Sequence, residues 1–288
     1  MPNITVIYNQ AAGSIGQLDK LKQAFERSHI TANFIALNKS IKSDIDAAIA
    51  DGTSIVVAAG GDGTVNAVAS CLVDTEVALG IIPAGTLNHF AKDLGIPMDF
   101  AAAAKVLVQG QIKSVDVGTV HDQVFLNNSS LGLYPEVVRR RDGRFSKFGK
   151  WPALMIGTIS VITRLKRYRL EICIDNKPIR KCVTPFVFVG NNKYDIEKLG
   201  LFKRHHLTKG KLCLYILKSH SLISLVWLVL RSLFGRSLRE HELEAIECKS
   251  VEVNASKSKL SVALDGELTT LATPLCYRSK SAALKVIM

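Results

Sequence analysis

Over its first 120 residues the chain switches repeatedly between two periodicities, and this alternation restricts the fold more than any other feature. Ile4–Tyr8, Asn33–Leu37, Ser54–Ala59 and Val77–Ile82 are short apolar runs bounded by Gly, Asn or Pro, and they read as strands. Between them, Gln17–His29, Ser43–Asp51 and Thr64–Leu72 carry helical spacing, as in Leu18, Leu21 and Phe25. Phe100–Gln109 reads as a further helix and Lys113–Val120 as a further strand. Strands and helices alternating at this interval predict an α/β domain with a mainly parallel sheet and helices on both faces. Ligands of such sheets sit in the loops beyond the carboxyl ends of the strands.

After about residue 120 the pattern changes. Val124–Asn128, Tyr168–Ile174, Thr184–Gly190, Lys211–Leu217, Ala245–Asn254 and Lys259–Leu264 read as strands, separated by turn signals such as Asp175-Asn176-Lys177 and Asp265-Gly266. Two apolar helical segments, Pro152–Arg164 and Leu222–Phe234, interrupt them. The expectation is two domains: residues 1–120 as the α/β unit and 121–274 as a β-rich, sandwich-like unit. The last strand, Ala283–Met288 within 275–288, is open to either unit, the first being one of the two.

Three loops of the first half carry candidate chemistry. Ser54–Ala59 runs into Gly60-Gly61-Asp62-Gly63-Thr64, and a helix starts at once. Glycines let backbone approach a phosphate closely, and the helix start offers unpaired amides and a positive dipole end. No Gly-Lys-Ser/Thr follows, so this is not a Walker A loop. Asp62 would repel a bare phosphate; it either holds a metal-bound phosphate or ties the loop to backbone amides. Tyr8–Ser14 follows the first strand, and Pro83–Phe90 follows the fourth. There Thr86 is placed to cap the next helix and Asn88 to reach a ligand.

Charge and cysteine usage narrow the setting. Thirty-seven Lys plus Arg against 25 Asp plus Glu give +12, which suits an anionic partner. Six scattered cysteines without CxxC argue against a zinc ribbon or a disulfide framework and for a reducing compartment. The apolar stretch Leu222–Leu230 is far short of the roughly 20 residues a spanning helix needs, and Met1 leads into a strand without a signal-like segment. The expected location is cytoplasmic, with peripheral membrane association. Arg139–Trp151 holds six cations, one anion and three aromatics, a composition that suits a phospholipid surface. Arg164–Arg169 and Lys203-Arg204-His205-His206 add to the basic surface.

Taken together, Gly60–Asn66, Pro83–Ala91 and Leu264-Asp265-Gly266-Glu267 resemble the diacylglycerol kinase catalytic family, with its bacterial lipid kinases and sphingosine-kinase relatives. The resemblance covers nearly the whole chain. It implies a two-domain enzyme that uses ATP and magnesium to phosphorylate a lipid hydroxyl, diacylglycerol or a related lipid, with ATP and lipid meeting between the domains. By the same resemblance Asn9, Gln10, Ala11, Ala12 and Gly13 face ATP, as do Gly60, Gly61, Asp62, Gly63, Thr64, Val65, Asn66, Gly85, Thr86 and Asn88. Asp62 and Asp116 would organise the magnesium–phosphate network, and Asp265 or Glu267 would be the general base. Phosphoryl transfer needs positioning, charge neutralisation and a carboxylate to take the hydroxyl proton, which agrees with that set.

Three positions depart from the family pattern. Gln10 replaces a Pro, and His89 replaces an Asp that many members carry after the Asn. Lys209 stands where bacterial members bind a structural metal through an Asp, so no metal is expected there. Two other functions compete: an NAD-kinase-like enzyme, which shares the glycine loop, and a nucleotide- or lipid-binding protein without turnover. The expected partners are ATP, a lipid and an anionic membrane surface, with no nucleic acid and with a homodimer as one possible assembly.

Overall fold

A computed structural model describes residues 3–10, 16–132, 167–195, 203–204, 206–217 and 243–288. Arg139–Trp151 and the segments Pro152–Arg164 and Leu222–Phe234 lie outside them, as do Ala11, Ala12 and Gly13. The chain divides into two compact units. One comprises Met1–Val117, Gln123–Asn127 and Lys280–Met288; the other comprises Gly118–Asp122 and Asn128–Ser279.

The first unit alternates as its periodicity predicts. Its elements are β1 (Ile4–Tyr8), α1 (Gly16–Arg27), β2 (Ala32–Ala36), α2 (Ile41–Ala50), β3 (Ile55–Gly60), α3 (Asp62–Leu72), β4 (Ala78–Pro83), α4 (His89–Asp93), α5 (Phe100–Gln109), β5 (Ile112–Val120, which runs on into the second unit) and β6 (Gln123–Phe125). Strand order is β2-β1-β3-β4, all parallel. β3 and β4 are buried along their whole length, the signature of central strands covered on both faces. Leu21, Phe25, Val65, Val68, Leu72 and Leu107 supply the helical side of that core. Sequence placed one broad strand at Val124–Asn128; the chain instead breaks into β6 and, after Asn127, a separate strand of the second unit.

That second unit holds β7 (Asn128–Gly132), β8 (Tyr168–Ile174), β9 (Arg180–Thr184), β10 (Phe186–Asn191), β11 (Tyr194–Asp195), β12 (Lys203–Arg204), β13 (Leu212–Leu217), β14 (Leu243–Cys248), β15 (Ser250–Ala255), β16 (Lys259–Leu264), β17 (Glu267–Ala272) and β18 (Leu275–Ile287). A six-stranded sheet runs β14-β13-β10-β7-β16-β17, and every neighbouring pair is antiparallel. β15 bridges β8 and the first half of β18, also antiparallel, and β8 pairs β9. The last residues of β18 leave this unit and pair parallel with β4, Val286 opposite Leu79. The chain is therefore α/β in its first unit and β-rich in its second.

Among the described residues no helix is long and apolar enough to cross a membrane. All six cysteines are free thiols.

Candidate active site

The glycine turn after β3 is built by close approach of backbone to backbone. Gly61 is the N-cap of α3, and its carbonyl accepts the Val65 amide hydrogen at 3.0 Å. A Cβ on Gly85 would lie 2.4 Å from the Gly61 Cα, so the turn after β4 rests directly on the turn after β3. The Ala84 amide donates to the Gly60 carbonyl at 2.9 Å and fastens the same two turns. A Cβ on Gly60 would meet the Thr64 hydroxyl at 2.4 Å. Gly60 and Gly85 are thus required by contact.

Asp62 begins α3, half-buried, and its Oδ1 accepts the Phe90 amide hydrogen at 3.3 Å. Of the two roles that sequence left open for this carboxylate, tying the loop is one it performs. Phe90 itself is buried, so the tie anchors the start of α4 to the start of α3. Thr64 is buried, and its hydroxyl accepts from the Asn9 side-chain amide at 3.4 Å. The Asn9 backbone amide donates to the Ala59 carbonyl at 3.2 Å. The ends of β1, β3 and β4 are in this way one connected group of loops, and Gln10 continues from it on the surface.

Two residues behave differently from their sequence reading. The Thr86 side chain is exposed, and α4 takes Asn88 as its N-cap, without a side-chain cap bond. Asn88 is left-handed (φ 50°, ψ 48°), and its side chain turns back on the loop. Oδ1 accepts the Gly85 amide hydrogen at 3.0 Å, and Nδ2 donates to the Gly85 carbonyl at 2.9 Å. This two-bond clasp uses both ends of the amide, and a left-handed backbone is tolerated by Asn better than by most residues. Farther into α3, Val65 faces the core, so only its backbone is available to a ligand. Asn66 Nδ2 donates to the Val124 carbonyl at 3.3 Å.

Asp116 lies on β5, buried, and its Oδ1 accepts the Ala282 amide hydrogen at 2.9 Å. Among the described residues no three of His, Cys, Asp and Glu gather as a cation site. Asp62 and Asp116 each commit their Oδ1 to a backbone amide. His89 and Lys209 are both exposed.

In the second unit, Asp265 and Gly266 are the two-residue loop between β16 and β17, with Leu264 opposite Glu267. Both have positive φ, 46° and 93°, as a type I′ hairpin turn demands of an Asp-Gly pair. Leu260, Val262 and Leu264 face the core, so the turn projects from a stiff strand. The Asp265 Oδ1 accepts the Asn128 amide hydrogen at 2.9 Å. Glu267 is exposed, as the first residue of β17.

Sequence reasoning missed Phe90 and Asn128. Each contributes a backbone amide, which leaves no residue-type signal. It also misjudged Arg204. Counted among the surface cations, Arg204 is buried, donates to the Asn191 carbonyl at 3.0 Å, and lies 5.5 Å from the Tyr194 ring centre.

Comparison with known proteins identifies a family by sequence. The family described as diacylglycerol kinase catalytic domain matches residues 3–120. A Bacillus subtilis (strain 168) protein named diacylglycerol kinase is 30% identical over 217 residues, covering 74% of this chain and 71% of its own. A Staphylococcus aureus (strain bovine RF122 / ET3-1) protein of the same name is 24% identical over 270 residues, or 91% and 85%. A solved structure titled as a diacylglycerol kinase from Bacillus anthracis (strain Sterne) superimposes with a TM-score of 0.71 at 19% identity, covering 99% of this chain and 96% of that one. That last likeness is one of fold.

Proposed function

The chain belongs to the diacylglycerol kinase family, and on that premise we propose that it is an ATP-dependent lipid kinase that phosphorylates the hydroxyl of diacylglycerol or a related lipid. The observation that carries this reading is the seating of Gly85 on Gly61. It fixes two loop turns at the carboxyl edge of a parallel sheet, where such folds take nucleotides.

In this reading the ATP phosphates lie along Gly60–Asn66, with Gly85, Thr86 and Asn88 shaping the facing loop and Asn9–Gly13 the third wall. Backbone amides and the positive end of α3 offset the phosphate charge. Asn88 and Asp62 hold the loops in register, and Asp62 keeps its second oxygen for the nucleotide side. A magnesium ion bound with ATP would supply charge neutralisation at the phosphates, with Asp62 as the residue to hold it. The lipid hydroxyl attacks the γ-phosphorus, the bond from that phosphorus to the ADP oxygen breaks, and Asp265 or Glu267 accepts the hydroxyl proton. Most of the acceleration is positioning and charge stabilisation.

The enzyme is further read as visiting an anionic membrane surface through Arg139–Trp151, from a cytoplasmic pool. Incubation with γ-labelled ATP and mixed vesicles containing diacylglycerol, with NAD in a parallel tube, tests the whole reading. Label in the lipid fraction is the expected result. Label in NADP means an NAD kinase, and label in neither means a binding protein without turnover.

A further inference from the structure

Ser130 sits in the middle of the six-stranded sheet with 2% of its surface exposed, and its Oγ makes no hydrogen bond among the described residues. A buried hydroxyl left unpaired is destabilising, so its presence asks for a reason. Its neighbour Ser129 shows the ordinary solution: pointing to the opposite face, it bonds the Tyr277 hydroxyl at 3.1 Å.

The register places Ser130 in a defined row. It lies opposite Phe188 on β10 and Ala263 on β16; Phe188 lies opposite Tyr215, and Ala263 opposite Leu268. Residues directly opposite each other share a face. Among the described residues of this otherwise aromatic and aliphatic band, Ser130 therefore carries the hydroxyl without a hydrogen bond, since the Tyr215 hydroxyl is engaged with the Tyr194 backbone. Leu268 at one end of the row is 38% exposed and Phe188 is half-buried, so the band reaches the surface.

The same two strands carry the Asp265 turn. Antiparallel pairing of Ser130 with Ala263 brings Asn128 opposite Asp265, and those two residues exchange hydrogen bonds at 2.9 Å. Ser130 follows Asn128 by two residues, on the same face and about 7 Å along the strand.

We propose that Ser130 is an acceptor-recognition residue whose Oγ donates a hydrogen bond to an ester carbonyl next to the hydroxyl being phosphorylated, the Phe188–Ala263–Leu268 band carrying the acyl chain. This rests on the lipid-kinase reading and deepens it, because it selects acylglycerols over polyprenols and ether lipids. An ester carbonyl a few bonds from a free hydroxyl spans the interval from Ser130 to the Asp265 turn. A polyprenol has no such acceptor.

The test compares 1,2-dioleoylglycerol with its diether analogue 1,2-dioleylglycerol, in matched mixed micelles with labelled ATP. The wild-type enzyme should favour the ester in kcat/KM by about fivefold, the scale of one neutral hydrogen bond. In S130A that preference should fall to about one, with the KM for ATP unchanged. The melting temperature of S130A should be equal or higher, because an unpaired buried hydroxyl has been removed. If S130A keeps the ester preference, or the wild type shows none, the inference fails while the kinase reading stands. A melting temperature lowered by more than about 5 °C also overturns it, since the hydroxyl would then be held by the fold. If the wild type phosphorylates neither lipid, the diacylglycerol kinase reading falls and takes this inference with it.

Discussion

The Asp265 amide donates to the Asn128 carbonyl at 2.9 Å, and the Asn128 amide donates to the Asp265 carboxylate, also at 2.9 Å. This reciprocal pair binds a hairpin turn to the neighbouring strand. It fixes one carboxylate oxygen while the turn geometry fixes the residue, so the second oxygen has a defined direction. A general base needs that kind of restraint, because proton transfer depends on heavy atoms within hydrogen-bond reach.

Asp265→Asn keeps the left-handed turn and a carbonyl oxygen for the Asn128 amide, but removes the charge and the basic oxygen. Loss of a general base is worth roughly 10²–10⁴ in rate. Turnover at saturating ATP should fall by that factor with the melting temperature nearly unchanged. Glu267→Gln is the paired control, and whichever variant loses the larger factor identifies the base. Near-normal lipid phosphorylation by both folded variants would remove both from the mechanism.

Much of this arrangement was legible in residue order, where local rules act. The strand–helix alternation up to Val120 gave the parallel sheet, and Asp265-Gly266 between apolar runs gave a two-residue turn with positive φ. What stayed hidden depends on pairing across long separations. β7 lies between β10 and β16, more than 50 and 120 residues later in the chain, so nothing in Asn128–Gly132 announces which face Ser130 takes. Arg204 reads as one more surface cation because its burial is set by Asn191 and Tyr194 on other strands. Asn88 was assigned to a ligand because a side chain folded back on its own loop leaves the same residue letter.

Alkaline stability offers an independent check of the second unit. Burial pushes the Tyr277 hydroxyl up to about 12, against a lesser downward pull from its bond to Ser129. The folded state thus prefers the neutral phenol. Below pH 10, near the unfolded value, this contribution is fully present; it is lost as pH rises from about 10 to 12. The loss is about 1.4 kcal/mol per pH unit over that window. Tyr215 and Cys248 are pushed upward by burial too and steepen the same limb. Tyr277→Phe should flatten it in urea titrations between pH 9 and 12. An identical slope in the variant would mean that Tyr277 ionises freely in the folded protein.

Vesicle binding tests the basic segment. If Arg139–Trp151 meets the membrane, co-sedimentation should rise with the anionic lipid fraction and fall with salt, since exposed charges are screened over about 8 Å at physiological ionic strength. Replacing Arg139, Arg140 and Arg141 together should weaken sedimentation and leave the KM for ATP in a soluble-substrate assay unchanged. Equal binding to neutral and anionic vesicles at low salt would remove the electrostatic contribution.

Substitutions at Gly85 and Asn88 separate the two halves of the loop clasp. In Gly85→Ala the new methyl meets the Gly61 Cα at 2.4 Å, and since that neighbour is backbone the two turns must move apart. A displacement near 1 Å at a phosphate-positioning loop costs about 10²-fold, so kcat/KM for ATP should drop by that order. Asn88→Gly keeps the left-handed backbone but deletes both bonds to Gly85, whereas Asn88→Ala deletes them and adds backbone strain of about 1–2 kcal/mol. Both should raise the KM for ATP by a similar factor, because the clasp is gone in each, while only the alanine variant should melt markedly lower. The lipid KM, measured at saturating ATP, should stay near the wild-type value in all three. If Asn88→Gly binds ATP normally, the Gly85 loop is held by its contact with Gly61 alone, and the Asn88 side chain contributes nothing to nucleotide use.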